Sequence, residues 1–216
     1  MTPVRMYTLH ERVWHWIQAF TIIVLLVTGA EIHAPQKIHL LGFQTAVVTH
    51  NVFAGLLLLN AILGLFFFIT NGLIHHYMPG ERGFYNLAFR QARYYLWGIF
   101  HGEPHPMEPQ PDNRLNPLQK ITYLMILNVL LPLQIGTGLL IWGAHYWPAF
   151  TNAIGGLPVL LPIHAIGSWF FLAFIIMHIY LTTTGHTPLA NIKAMITGYH
   201  MKNNPGEDVE STEEQS

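Results

Sequence analysis

Apolar residues gather in four long runs that are separated by shorter polar stretches. The runs cover about residues 13–32, 45–70, 121–142 and 161–184. Each is close to or longer than the ~20 residues with which an α-helix crosses the hydrocarbon layer of a membrane. The pattern predicts an all-α fold, an integral membrane four-helix bundle formed by one domain of residues 1–205.

The remaining stretches have patterns of their own. Between the second and third runs, GFYNLAFRQARYYLWGIF predicts an amphipathic helix whose Arg, Tyr and Trp side chains suit the headgroup layer. Residues 143–160 carry no charge and are expected to form an interfacial loop. Pro132 is expected to kink the third span, and the acidic tail 206–216 is expected to be disordered.

Composition supports a membrane location and narrows the chemistry. Of the 216 residues, 51% are hydrophobic and 10% are charged, and the mean hydropathy is +0.34. Soluble domains are about a quarter charged. The net charge of -1 gives no attraction for nucleic acid. The chain has 14 His and no Cys, which excludes disulfides, cysteine-ligated Fe–S clusters and thioether-linked haem in this chain and leaves imidazole as the obvious cofactor ligand.

The positive charges indicate the orientation. If both termini and residues 71–120 share one side of the membrane, that side holds nine of the ten Lys and Arg residues, and the other side holds Lys37. Loops rich in Lys and Arg remain in the cytoplasm. We therefore expect both termini and the amphipathic helix at the cytoplasmic face.

Four histidines fall within the apolar runs at two depths. His164 and His178 are 14 positions apart on the fourth run, which places them on nearly the same side of a helix and about 21 Å apart along its axis. With the orientation above, His15 lies near the inner face and His50 near the outer face. The depths predict two pairs, His15 with His178 and His50 with His164, each of which could ligate one b-type haem through both axial positions.

Two glycines repeat the same spacing. Gly29 is 14 positions after His15, and Gly64 is 14 positions after His50. Each is expected on the histidine side of its helix, at the depth of the other haem, where a missing side chain would give room to a porphyrin. The alternative is an ordinary helix contact, because small residues are common wherever membrane helices meet.

Three segments carry a family resemblance over about residues 8–200. They are RVWHW in the first span, LNPLQKITY before the third, and the His-x13-His spacing of the fourth. With them the chain resembles the dihaem cytochrome b subunits of bacterial membrane-bound Ni,Fe-hydrogenases, formate dehydrogenases and thiosulfate-reductase-like complexes, a cytochrome b561-like bacterial family. The resemblance implies four haem ligands, one from the first span, one from the second and two from the fourth. These positions match His15, His50, His164 and His178.

The resemblance also implies a function and partners. Such subunits sit in the bacterial cytoplasmic membrane and pass electrons between menaquinone or ubiquinone and an extracytoplasmic subunit that carries Fe–S clusters or c-type haems. The quinone reacts near the cytoplasmic haem, beside the Asn of an N-x-x-Q-K motif that matches Asn116; Pro117 after it departs from the family pattern. On this interpretation the chain is a subunit of an oxidoreductase complex and does not act on a soluble substrate alone.

Several residues have a second interpretation. His10 competes with His15 as the ligand from the first span. His186, just after the fourth span, is a candidate for quinone protonation. Arg12 could pair with a haem propionate, or it could serve only to fix the topology.

Two other classes of protein stay open. One is a transporter that uses intramembrane His as zinc or copper ligands; it would favour acidic partners, and the predicted spans contain only Glu31, at one edge. The other is a haem-free membrane anchor of a redox complex, which would need no histidines matched in depth. A visible absorption spectrum separates all three classes.

Overall fold

Long helices make up most of this computed structural model, which describes residues 2–74, 83–103, 115–184 and 187–202. The helices are α1 (Leu9–His33), α2 (Phe43–Thr70), α3 (Phe84–Leu96), α4 (Pro117–Met125), α5 (Leu131–Gly143), α6 (Pro148–Ala153), α7 (Gly156–Thr182) and α8 (Ala190–Thr197). A short 3-10 helix, Gly98–His101, follows α3, and two strands, β1 (Thr2–Arg5) and β2 (Tyr199–Lys202), lie near the chain ends. The acidic tail at 206–216 lies outside the described residues.

Within these ranges, four helices are long and apolar enough to cross a membrane, which confirms the predicted fold class. They are Leu9–His33, Phe43–Thr70, Pro117–Gly143 and Gly156–Thr182. The fourth begins at Gly156 rather than near residue 161, and α6 precedes it, so the region 143–160 is largely helical instead of a loop. Apolar patterning underestimates helix length here because glycines and prolines at the helix start interrupt the apolar run.

The first and third spans begin at capping boxes. Thr8 Oγ1 accepts a hydrogen bond from the backbone N–H of Glu11, whose carboxylate accepts one from the N–H of Thr8. Asn116 and Gln119 form the same reciprocal pair at the start of α4. Pro117 takes a position in the first turn, where its missing N–H removes no helical hydrogen bond. Pro117, which departs from the family pattern, therefore leaves the cap of α4 intact.

The third span contains a π-helical segment, Ile126–Leu130, between α4 and α5. The backbone N–H of Leu131 donates to the carbonyl of Ile126, one residue further back than in an α-helix. Pro132 follows directly, and its ring would crowd the carbonyl four residues before it. The wider turn gives room to the proline ring. Where the sequence predicts a kink at Pro132, the structure therefore has a π-helical segment directly before it.

The four spans form a bundle in which each helix packs against two others. α1 and α5 each pack against both α2 and α7. Leu57, Leu131 and Phe171, from three different spans, form the buried apolar cluster. Many other large apolar side chains of the spans are exposed on the outer surface of the bundle, where a bilayer would cover them.

The two ends of the bundle are closed differently. β1 pairs antiparallel with β2, a small sheet that the helical pattern did not predict, so both ends of the described chain lie at one end of the bundle, here called the termini side. At the opposite end, the far side, Glu31 is buried. Its carboxylate accepts hydrogen bonds from the backbone N–H groups of Leu40, Leu41 and Gly42 and so fixes the connection between α1 and α2.

α3 is the amphipathic helix that the sequence predicts between the second and third spans. Its buried residues are Phe84, Ala88, Gln91 and Tyr94, a spacing that defines one helical face. The helix packs against α4 and therefore lies on the termini side, beside the start of the third span.

Candidate functional site

Two pairs of histidine rings face each other inside the bundle, one pair toward each side. On the far side, His50 of α2 lies opposite His164 of α7, with ring centroids 6.3 Å apart. On the termini side, His15 of α1 lies opposite His178 of α7, with ring centroids 6.1 Å apart. The fold thus brings the four histidines together in the two combinations expected from their depths.

The spacing of both pairs suits a metal ion held between two imidazoles. A metal–nitrogen bond of about 2.0–2.1 Å to each of two opposed imidazoles leaves the ring centroids roughly 6 Å apart. The observed separations of 6.1 and 6.3 Å agree with that spacing. Each site offers two imidazoles, whereas a structural zinc site takes four protein ligands. Iron in haem, which needs only axial ligands from the protein, fits this donor set.

An apolar layer separates the two pairs. Phe171 lies seven positions from both His164 and His178 on α7, which is halfway along a separation of about 21 Å. It packs with Leu57 of α2 and Leu131 of α5 in the buried apolar cluster. The bundle therefore contains two distinct imidazole sites with hydrocarbon side chains between them.

The His50 ring is held by two adjacent residues of α1. Thr28 Oγ1 lies 2.9 Å from His50 Nδ1. Gly29 follows, and a Cβ atom at that position would lie 3.3 Å from His50 Cε1, which is tighter than ordinary van der Waals contact. The Thr-Gly dipeptide therefore supplies a hydrogen-bonding oxygen and the space for the edge of the ring.

The His164 ring is held in the same way from α5. Thr137 Oγ1 lies 2.8 Å from His164 Nδ1, and a Cβ atom at Gly138 would lie 3.2 Å from His164 Cε1. The amide nitrogen of Gln134 lies 3.1 Å from His164 Nε2 and donates to Ser168 Oγ at 2.9 Å. The far-side pair therefore has polar partners on two helices, one for each ring.

The termini-side pair has mainly aromatic neighbours. The ring of His178 stacks on Phe174, with centroids 5.5 Å apart. His15 Nδ1 is buried and has no hydrogen-bond partner among the described residues. His10, the alternative ligand from the first span, stacks instead on Phe67 with centroids 3.6 Å apart. The structure therefore places His15, and not His10, opposite His178.

The two glycines at the 14-residue spacing contact protein side chains. Gly29 meets the edge of the His50 ring. At Gly64, a Cβ atom would collide with Nε1 of Trp14, which donates to the carbonyl of Asn60 at 3.1 Å. Gly64 thus gives room to the indole of Trp14, and the room for a porphyrin expected at Gly29 and Gly64 stays a prediction.

Asn116 belongs to a buried polar cluster on the termini side. Its oxygen caps α4, and its amide nitrogen donates to the hydroxyl of Tyr95 at 3.3 Å. Burial raises the pKa of the Tyr95 phenol, against the opposing effect of hydrogen bonds with Gln91 and Asn116. Tyr95 therefore stays protonated at neutral pH and keeps an O–H group to donate.

Arg12 makes contacts within the protein. Its guanidinium donates to the backbone carbonyl of Ile196, and to that of Thr8 at 3.4 Å. These contacts join α1 to the carboxyl end of α8, where a positive charge is favourable. His186, the candidate for quinone protonation, lies outside the described residues.

The polar partners of the far-side pair were not among the residues predicted from the sequence. Thr28 and Thr137 each precede a glycine in an apolar run, and this repeated Thr-Gly dipeptide was a signal that could have been noticed. Gln134 was a single amide in an otherwise apolar stretch. Tyr95 carried no such signal, because Tyr is common in interfacial helices.

Four spans that enclose two pairs of opposed histidines define a membrane cytochrome of the b type. The sequence profile of the prokaryotic cytochrome b561 family matches residues 6–198, and the chain belongs to this family. A protein of Escherichia coli strain K12 named "Putative cytochrome YdhU" is 35% identical over 201 residues, which cover 91% of this chain and 74% of that protein. No solved structure matches the chain significantly. The chain is a multi-pass membrane protein that binds haem b and serves electron transfer.

Proposed function

We propose that this chain carries electrons through two bis-histidine b haems, between an extracytoplasmic redox protein and the membrane quinone pool. The observation that carries the proposal is the presence of two opposed imidazole pairs at different depths, with centroids 6.1 and 6.3 Å apart. His15 and His178 would hold one haem b, and His50 and His164 would hold the second. Haem b held by these residues would supply a one-electron iron couple for electron transfer.

The termini side is the cytoplasmic side in this proposal. With the termini and residues 71–120 on that side, nine of the ten Lys and Arg residues are cytoplasmic. His15 and His178 then lie toward the cytoplasm, and His50 and His164 lie toward the outside. Electron transfer between the two pairs would move charge across most of the hydrocarbon layer of the cytoplasmic membrane.

The far side is the surface to which the redox partner binds. Residues 143–160 carry no charge. Tyr146, Trp147 and Phe150 in this region expose 62%, 54% and 59% of their surface. An aromatic surface without charge suits a protein interface. The partner would be an extracytoplasmic subunit with Fe–S clusters or a multihaem c-type cytochrome.

The buried cluster of Asn116 and Tyr95 is the candidate quinone site. A menaquinone or ubiquinone carbonyl oxygen accepts hydrogen bonds, and both the Tyr95 hydroxyl and the Asn116 amide can donate them. The cluster lies on the termini side, as His15 and His178 do. His186, which follows the fourth span in the sequence, is the candidate for proton transfer.

Quinol-driven reduction of the purified cytochrome tests the site. Asn116→Asp keeps an oxygen that caps α4 but removes the amide donor, and Tyr95→Phe removes the hydroxyl. Each variant should slow reduction by a quinol roughly threefold to tenfold, the effect of losing one neutral hydrogen bond, whereas reduction by dithionite stays complete. Asn71→Asp, at the end of α2, is a matched control. Unchanged quinol kinetics in both variants would remove Asn116 and Tyr95 from the quinone site.

A further inference from the structure

The far-side histidines are bound by the same dipeptide on two different helices. Thr28 and Gly29 of α1 hold His50, and Thr137 and Gly138 of α5 hold His164. The Thr Oγ1 to His Nδ1 distances are 2.9 and 2.8 Å. The same Thr-Gly contact with a histidine ring thus occurs on two separate helices. The repetition points to a structural requirement of the two rings rather than to chance packing.

The direction of these hydrogen bonds follows from the threonines. A hydroxyl has one hydrogen. That of Thr28 is donated to the carbonyl of Val24 at 2.8 Å, and that of Thr137 to the carbonyl of Leu133 at 2.7 Å. Both hydroxyl oxygens therefore accept, and the histidine nitrogens facing them carry hydrogen. His50 and His164 are then Nδ1–H tautomers, with the lone pair of each ring on Nε2.

Gln134 gives independent support for this tautomer. Its amide nitrogen, which can only donate, lies 3.1 Å from His164 Nε2. Ser168 Oγ accepts from the same amide nitrogen at 2.9 Å and donates to the carbonyl of His164 at 3.0 Å. The amide oxygen of Gln134 is buried and has no hydrogen-bond partner among the described residues. His164 Nε2 is thus an acceptor, the form in which it binds a metal.

His15 of the termini-side pair differs in this respect. Nδ1 of His15 has no hydrogen-bond partner within the described part of the chain. A hydrogen bond from the second nitrogen of an imidazole ligand fixes the ring and makes the ligand more basic. A more basic ligand favours the more highly charged iron, so it lowers the reduction potential.

We propose that Thr28 and Thr137 are positioning residues that hold His50 and His164 as Nδ1–H tautomers and lower the midpoint potential of the haem on the far side. The inference rests on the proposed haem ligation. It adds a tuning device at the far-side haem, built from neutral hydroxyl groups.

Potentiometric titration of the purified cytochrome tests this inference. Thr28→Val and Thr137→Val keep the shape of the side chain and remove the hydroxyl acceptor, while the backbone hydrogen bonds of the two rings with Leu25 and Gln134 remain. Each single Val variant should raise the midpoint potential of one haem. The double variant should raise that same potential further, and the midpoint potential of the other haem should not change. Thr28→Ser and Thr137→Ser keep a hydroxyl and should keep the wild-type potentials. Thr28→Ala and Thr137→Ala serve if the Val variants do not fold.

Thr70→Val is the matched control. Thr70 donates to the carbonyl of Phe66 at 2.8 Å, as Thr28 and Thr137 do to theirs, and lies at the end of α2 away from the far-side histidines. It should shift neither potential. Two haems with unchanged potentials in the double Val variant would overturn the inference, as would an equal shift of both potentials. A wild-type protein without haem, or a His50→Ala variant with two haems, would instead overturn the proposed ligation.

Discussion

The ring of His178 lies 6.1 Å from the ring of His15, whereas the ring of His10, one and a half turns earlier on the same helix, stacks on Phe67. α1 therefore supplies the imidazole of His15 to the termini-side pair, and its other histidine near the helix start, His10, packs against Phe67. Substitution of each of these two histidines in turn tests directly which one is a ligand.

His15→Ala should reduce the haem content from two per chain to one, because the termini-side site loses one of its two protein ligands. His10→Ala should leave both haems in place. The measurement is a pyridine hemochrome assay on each purified variant, normalised to protein. Full haem content in His15→Ala together with a loss in His10→Ala would show that the ligand has been assigned to the wrong histidine.

Gly138→Ala should disturb the far-side site, because the new Cβ would lie 3.2 Å from His164 Cε1 and the ring must move. Gly136→Ala on the same helix is the control, since nothing lies within 4 Å of its Cβ position. In an open position, Gly→Ala stabilises a helix by about 1 kcal/mol. We expect a changed low-spin ferric EPR signal for one haem in Gly138→Ala, and an unchanged spectrum in Gly136→Ala. Identical spectra in the two variants would contradict the contact.

Glu31→Ala should destabilise the protein by about 2–4 kcal/mol, because it removes the buried carboxylate that accepts hydrogen bonds from three backbone N–H groups. Leu40, Leu41 and Gly42 donate those N–H groups to the carboxylate. Glu31→Gln keeps one acceptor oxygen and should lose roughly half as much. Thermal unfolding in detergent measures the effect, and Lys37→Ala in the same connection is the control. If the unfolding temperature of Glu31→Ala equals that of Lys37→Ala, the carboxylate of Glu31 is dispensable for stability.

Cysteine labelling can determine the orientation of the chain in the membrane, because the native chain has no Cys. His39→Cys, in the exposed connection on the far side, should react with a membrane-impermeant maleimide added outside spheroplasts. Thr2→Cys, on the termini side, should react only after the membrane is permeabilised. The reverse pattern would invert the topology and place His15 and His178 at the outer face.

The span pattern was predictable because each run must be apolar over the full thickness of a membrane. The helix ends were less predictable, since Thr8 and Asn116 start helices by hydrogen bonding and not by hydrophobicity. The pairing of β1 with β2 joins segments at opposite ends of the sequence, and four-residue strands leave little trace in a pattern of apolar positions.

The histidine pairs followed from depth alone, because two histidines 14 positions apart must share one side of a helix. Their surroundings could not be obtained in that way. Which residue contacts a ring depends on helix packing, and so Gly64 proved to lie beside Trp14, and Thr28 beside His50. A contact between helices is set by rotation about their axes, which the sequence of one helix does not determine.

The most direct test of the central claim is the haem content of the purified wild-type chain. A dithionite-reduced minus oxidised spectrum identifies the haem type, and a pyridine hemochrome assay gives the number per polypeptide. We expect b-type haem at about two per chain, one for each pair of opposed histidines. A well-folded preparation that contains no haem would contradict it and would favour a metal transporter or a haem-free anchor.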